Sequence, residues 1–235
     1  MLFAKLFEIS QFDRNKFCIH IINSSKPKDD FYFLVILSTL IVALGLLADN
    51  VILVIGGMLV TPILSPILAL ALGIVISESD VMLRSLKIML KAFLFAFIVS
   101  FSVGFFSTAV DLNTISLIEM MRPSLFTFVI AAIAGFAASY TWVKPGHNEM
   151  LPGVAVTVTL IPPLTTIGLA LAQAEWLIFK NVLSSLMLNI FGIMAASIVI
   201  FSAMEFFRSK KKVLDEIKEE EREIRKEKNN NHKNK

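Results

Sequence analysis

The stretch GGMLVTPILSPILALALGI, from Gly56 to Ile74, belongs to a long apolar segment with prolines near its middle. A second stretch, PGVAVTVTLIPPLTTIGLALA, from Pro152 to Ala172, has the same organisation. Each segment is long enough to cross a hydrocarbon layer about 30 Å thick as a helix. Because proline removes a helical hydrogen bond and clashes with the carbonyl four residues earlier, both are predicted to be transmembrane helices broken near mid-membrane.

The composition excludes an ordinary soluble domain. The chain has 235 residues, of which 56% are hydrophobic and only 17% are charged, too few to cover a core of this size. The fold is therefore predicted to be all-α, a polytopic membrane protein with about six spans. The apolar segments are about 31–48, 51–76, 88–110, 125–143, 151–173 and 177–204.

Charges around these segments predict the orientation. A cytoplasmic segment 1–30, a transmembrane domain 31–207 and a charged tail 208–235 place most Lys and Arg residues on one side, with both termini inside. The cell (inner) membrane is the expected location, and the first span is expected to be retained because no cleavable signal precedes it. The net charge of +3 is explained by headgroups and topology, so the bilayer and not nucleic acid is the expected partner.

Two halves, 31–110 and 125–207, are related by a shift of 97 positions. Gly56 then falls on Gly153, Pro66 on Pro163 and Glu78 on Glu175. Each half has three crossings, so the second copy is predicted to be inverted relative to the first, as in many secondary transporters whose substrate site lies at discontinuous helices.

Residues at the two breaks form the candidate substrate site. Ser65-Pro66 is predicted to be an N-cap followed by the first residue of a half-helix, and Pro163 to begin its counterpart. Free N–H groups and hydroxyls at such helix starts favour an anion or a polar neutral solute. The candidate substrate-binding residues are Thr61, Pro62, Ser65, Pro66, Thr159, Pro162, Pro163, Thr165, Thr166 and Asn189.

Simpler interpretations exist for the same residues. Proline often only kinks a membrane helix, and Asn189 is more often an interhelical hydrogen-bond anchor than a ligand. Residues 1–12 are predicted to form an interfacial helix or one packed at the cytoplasmic side. The tail is predicted to extend the last span as a solvated helix, with pairing in a homo-oligomer as the alternative.

The two proline-bearing stretches, with VKP (143–145) ahead of the second, resemble the prokaryotic "uncharacterised hydrophobic domain" family, domain of unknown function 389. The resemblance covers about 31–205. It implies a multi-spanning protein of the prokaryotic cell membrane, and it implies neither an activity nor a substrate.

The expected function is a transporter or channel for a small solute or ion, with the site at the two breaks. The alternative is a membrane scaffold or assembly subunit that does not transport. An enzyme is not expected, because the sequence has no HExxH motif and its histidines lie in predicted loops or tails. No metal or other cofactor is expected, since no Cys/His cluster has metal-ligand spacing.

Overall fold

The computed structural model describes Arg14, Phe17, Cys18 and residues 29–107, 111–119, 121–143 and 150–209. The predictions for residues 1–12 and for a helix beyond Ser209 fall outside these residues. The tail does not continue the last span directly, contrary to the prediction, because the helix of that span ends at Ala203 and Glu205 has a left-handed φ of 57°. Eight α helices make up the described part, together with two short 3-10 turns, Leu112–Thr114 and Phe206–Ser209. The helices are α1 (Asp29–Leu47), α2 (Val51–Val60), α3 (Leu64–Ile76), α4 (Ser79–Phe106), α5 (Ser116–Glu119), α6 (Leu125–Val143), α7 (Met150–Ala172) and α8 (Trp176–Ala203).

The helices form a membrane-embedded bundle. Five of them are long and apolar enough to cross a bilayer, and α2 with α3 make a sixth candidate span that is bent by 57°. Large apolar side chains such as Ile52, Phe126 and Phe191 are exposed on the outside of the bundle, as expected where lipid rather than water is the solvent. The prediction of a polytopic helical membrane protein is confirmed.

The bent pair α2–α3 crosses the whole bundle. The Asp49 carboxylate in the α1–α2 turn accepts hydrogen bonds from Ser116 and Leu117 in α5, the short helix that follows α4. This end of the bundle is called the Asp49 end. Helix α4, at 28 residues, is about 42 Å long, so its start and the adjoining end of α3 lie at the opposite end. A span that dipped in and returned is excluded, because α2 begins at one end and α3 finishes at the other.

Arg14 marks that opposite end, called the Arg14 end. Its guanidinium donates to the main-chain carbonyls of Met204 and Glu205, both at 3.1 Å, just past α8. Phe17 packs against the rings of Phe201 and Phe206. The described N-terminal residues and the end of α8 therefore lie on one side of the bundle, as six crossings require.

Helix α7 is the centre of the bundle. It packs against α1, α2, α3, α4, α6 and α8, and every residue from 161 to 170 is buried. Glycine permits the closest of these contacts, because a Cβ at Gly168 would lie 2.8 Å from the amide nitrogen of Phe101 on α4. The remaining helices surround α7, so residues at its middle are screened from lipid.

The 97-residue spacing recurs in the backbone. Helices α4 and α8 both contain 28 residues, and they begin 97 positions apart at Ser79 and Trp176. The turn before each helix contains a residue in the left-handed conformation: Ser77 with φ 54° and Ala174 with φ 58°. The same hydrogen bond closes each turn: Glu78 N to Gly73 O at 3.0 Å, and Glu175 N to Ala170 O at 2.9 Å.

One predicted boundary is wrong. The sequence predicts that the third apolar segment begins near residue 88 after a loop at 77–87, but α4 begins at Ser79. The charged residues of this stretch, Asp80, Arg84 and Lys87, therefore lie on the first turns of the helix. Charge marks the end of the hydrocarbon layer here and not the end of the helix, which extends past the apolar layer.

Candidate functional site

The first proline region breaks its span, as predicted. Helix α2 ends at Val60, and Thr61 has φ −84° and ψ 129°, the extended conformation that a residue before proline favours. The carbonyl of Met58, four residues before Pro62, accepts from the Thr61 amide at 3.4 Å. A tightened last turn thus replaces the hydrogen bond that Pro62 cannot make, and the chain turns by 57° into α3.

The start of α3 differs in detail from the prediction. Its N-cap is Ile63, which makes no side-chain capping hydrogen bond. Ser65 is therefore not the N-cap, and Pro66 is the third helical residue and not the first. Proline is still tolerated there, because the first-turn N–H groups have no intrahelical acceptor. The predicted second half-helix exists, and it starts two residues earlier than expected.

The second proline region does not break its helix, which contradicts the prediction of one broken helix in each half. Helix α7 runs continuously from Met150 to Ala172 with Pro162 and Pro163 inside it. Pro163 leaves the carbonyl of Thr159 without its usual donor. The side-chain amide Nδ2 of Asn189 on α8 donates to that carbonyl at 2.7 Å. A neighbouring helix thus supplies the hydrogen bond that Pro163 cannot make.

This contact fixes which atom Asn189 presents to its surroundings. A carbonyl oxygen only accepts, so the amide nitrogen of Asn189 must face Thr159 and its Oδ1 must face away. Oδ1 is buried and has no hydrogen-bond partner among the described residues. Asn189 therefore bonds α7 through its amide nitrogen, while its amide oxygen is an acceptor without a partner among the described residues.

Two hydroxyls share this property. Thr61 Oγ1 and Thr165 Oγ1 are buried without a partner within the described part of the chain, while Thr61, Thr165 and Asn189 are only 7%, 0% and 4% exposed. Measured along their helices from the Asp49 end, the three residues lie about 15, 12 and 20 Å deep. All three therefore lie in the interior of the bundle, on α7 or at helices that pack against it.

The other predicted site residues have different surroundings. Thr159 Oγ1 donates to its own helix, at Val156 O, and Thr166 Oγ1 contacts the sulfur of Met121 at 3.4 Å. Both hydroxyls already have partners. Pro66, Pro162 and Pro163 are buried, whereas Pro62 and Ser65 are half-buried. Of the ten predicted residues, Thr61, Thr165 and Asn189 are the ones with polar side-chain atoms that are buried and unpartnered.

Charge is scarce at this depth. Among the described residues, Arg14 is the one buried charged side chain, and it lies at the end of the bundle. No group of three or more His, Cys, Asp or Glu residues in the described ranges is placed to hold a metal ion. Arg14 was not singled out from the sequence, where it is one of several cations before the first span.

Comparisons with known proteins identify a family and add no activity. The family model described as Domain of unknown function (DUF389) matches residues 58–195, more than half of the chain. An uncharacterised protein of Methanocaldococcus jannaschii is 29% identical over 170 residues, which are 72% of this chain and 52% of that protein. The chain thus spans about half the length of this relative. No solved structure matches.

Proposed function

The chain belongs to this family of domains of unknown function, and we propose that it is a transporter or channel for a small polar solute or anion. The single observation that carries the proposal is the broken span, where a buried, unpartnered Thr61 hydroxyl adjoins the start of α3 near mid-membrane. Polar groups in the hydrocarbon region are costly when nothing satisfies them. A passing solute would satisfy these groups at the moment of binding.

The start of α3 supports the same proposal. Its first-turn N–H groups have no acceptor inside the helix, and the helix end carries about half a positive charge. Irregular backbone at membrane depth is tolerated where it is enclosed by protein or lines a cavity. Thr61 and Ile63 are both buried, so this break is enclosed by protein, which is the setting of transporter sites.

We further propose that the two halves are an inverted repeat. Equal lengths of α4 and α8, and equivalent turns at Ser77 and Ala174, support it. Packing across the halves is also reciprocal, since α4 lies against α7 and its counterpart α8 lies against α3. In transporters built this way, one half rocks against the other around a fixed site near mid-membrane.

A specific element is suited to that movement. Helices α1 and α2 form a tight hairpin, because Gly45 and Gly57 allow close approach and Ser38 Oγ donates to Gly57 O at 2.8 Å. The hairpin ends at the break, where Thr61–Ile63 is outside regular helix. In the proposed cycle the hairpin moves as a unit about this hinge and exposes Thr61. We place the protein in the cell membrane with the Arg14 end cytoplasmic, following the distribution of Lys and Arg.

Proteoliposome shrinkage tests the function. Purified protein is reconstituted, and re-swelling after an osmotic step is followed by light scattering with urea, glycerol, potassium chloride or potassium nitrate, with valinomycin present for the two salts. We expect at least one solute to enter faster than it enters protein-free vesicles. Rates equal to those of protein-free vesicles for all four solutes would overturn the proposal and leave the scaffold alternative.

Thr61→Val is the matched variant. It keeps the shape of the side chain and removes the hydroxyl, and since that hydroxyl has no described partner, the fold loses no known hydrogen bond. Thr39→Val is its control, because the Thr39 hydroxyl is equally buried but bonds Val35 O within its own helix. Solute entry should be slower with Thr61→Val and unchanged with Thr39→Val. The opposite result would contradict a site at the break.

A further inference from the structure

We infer that the solute is neutral and carries hydrogen-bond donors, as small amides and polyols do, and that Asn189 selects it. This inference rests on the proposed function. It restricts the class of solute, because the sequence predicted either an anion or a polar neutral molecule. The observation behind it is the buried Oδ1 of Asn189, an acceptor with no described partner. An acceptor in an apolar setting attracts N–H or O–H groups and repels anions.

The orientation of this acceptor is enforced by chemistry. Asn189 Nδ2 is engaged by the Thr159 carbonyl at 2.7 Å, which needs a donor because Pro163 has no N–H. Turning the amide over would bring two carbonyl oxygens together and leave the Thr159 carbonyl without its donor. Asn189 therefore cannot offer its nitrogen to an anion without breaking a contact that keeps α7 intact.

The charge balance leads to the same solute class. An anion at mid-membrane needs a compensating cation or several aligned donors. The described residues place no buried charged side chain at this depth, and Arg14 is bound at Met204, about 22 Å along α8 from Asn189. The start of α3 contributes only a fraction of a charge. A neutral solute needs no such compensation.

The two threonine hydroxyls complete the set. Each hydroxyl donates one hydrogen and accepts others, so Thr61 and Thr165 are able to bind either a carbonyl or an N–H group. Together with the acceptor of Asn189, these hydroxyls offer both donors and acceptors to a solute that passes through the bundle. An amide or a polyol uses both kinds, whereas an inorganic anion uses donors only.

Urea and nitrate are matched probes for this inference. Both are small, planar and three-armed, but urea is neutral with N–H donors and one acceptor, whereas nitrate is an anion with acceptors only. In proteoliposomes containing the full chain, we expect urea entry to exceed the protein-free rate and nitrate entry, with valinomycin and potassium, to equal it. Nitrate entry above the protein-free rate, with urea at that rate, would overturn the inference while leaving a transporter. Equal rates with and without protein for all probes would instead overturn the proposed function.

Variants of Asn189 separate selection from folding. Asn189→Leu in the background of Pro163→Ala removes the acceptor, while the alanine N–H restores a donor for the Thr159 carbonyl. Folded protein should persist, and urea entry should fall about fivefold relative to Pro163→Ala alone, the effect of one net hydrogen bond. Thr165→Val removes an unpartnered hydroxyl and should lower urea entry about fivefold, the effect of one net hydrogen bond, without loss of folded protein. Urea entry in the double variant equal to that of Pro163→Ala alone, or unchanged urea entry in Thr165→Val, would contradict the assignment.

Discussion

At Pro62 the helix breaks, whereas at Pro162–Pro163 it continues, although proline removes a backbone hydrogen bond in both regions. In both, proline leaves a carbonyl without its donor near mid-membrane. At Pro62 the chain itself supplies the Thr61 amide and leaves the helical path, whereas at Pro163 a side chain from α8 supplies the donor and the helix continues. A proline therefore breaks a membrane helix or leaves it intact according to what the neighbouring helix offers.

The positions of the two regions reinforce this difference. Helix α2 lies at the edge of the bundle, where Ile52 and Leu59 are exposed and a Cβ at Gly56 would meet nothing within 4 Å. Helix α7 is surrounded by six other helices, and every residue from 161 to 170 is buried. An edge helix is free to change direction, while a central helix that changed direction would disturb six neighbours at once. In the cycle proposed above, α7 is therefore the part that stays fixed, and the break after α2 is the point about which the α1–α2 hairpin moves.

The largest expected effect on the free energy of unfolding comes from a substitution that moves α7 away from α4. Gly168→Leu places a side chain against the Phe101 amide, where even a Cβ would lie at 2.8 Å, so we expect a loss of about 3 kcal/mol in the free energy of unfolding in detergent. Ala155→Leu, at an exposed position of the same helix, is the control and should be nearly neutral. Equal stability of the two variants would show that α7 is not held in this way.

The second prediction tests the substitute donor directly. Asn189→Leu leaves the Thr159 carbonyl unpaired, and we expect it to lose about 1–2 kcal/mol of unfolding free energy. In the background of Pro163→Ala the loss should be much smaller, because alanine at that position restores the backbone N–H for the carbonyl. Unfolding of both single variants and the double variant gives the coupling energy. Additive effects would mean that Asn189 does not compensate for Pro163.

The sequence predicted the class of fold, but only one of the two helix breaks that it predicted is present in the structure. Apolar segment lengths and charge placement predicted the spans, because the bilayer sets both quantities. Prolines indicated where helical hydrogen bonds are missing, but whether Asn189 reaches Thr159 is a long-range contact that no local pattern contains. For the same reason, the sequence named Thr61, Thr165 and Asn189 among ten candidates and did not distinguish them from Thr159 and Thr166, whose hydroxyls have partners.

A smaller effect on stability is expected in the α1–α2 hairpin. A Cβ at Gly57 would lie 2.6 Å from the Val42 side chain and 3.0 Å from its amide nitrogen, so Gly57→Ala should lower the unfolding free energy by about 1 kcal/mol. Gly56→Ala, on the open side of the same helix, is the matched control and should be neutral or slightly stabilising. Thermal unfolding in detergent measures both. Destabilisation by Gly56→Ala would instead indicate that another molecule covers the outer side of α2.

The smallest expected effect concerns the tie at the Asp49 end, where the hairpin meets the segment 111–119. Hydrogen bonds from Ser116 and Leu117 hold the pKa of the Asp49 carboxyl below its usual value of 3.8. A depressed pKa means that the carboxylate stabilises the fold above the pKa it has in the unfolded chain, and that this stabilisation is lost as the pH falls through the folded pKa. Asparagine at this position tolerates the positive φ of 46° but lacks the charge. The wild type should therefore melt slightly above Asp49→Asn at about pH 6, and the two melting temperatures should converge below pH 3.8. A gap independent of pH would mean that the carboxylate does not hold the hairpin in place.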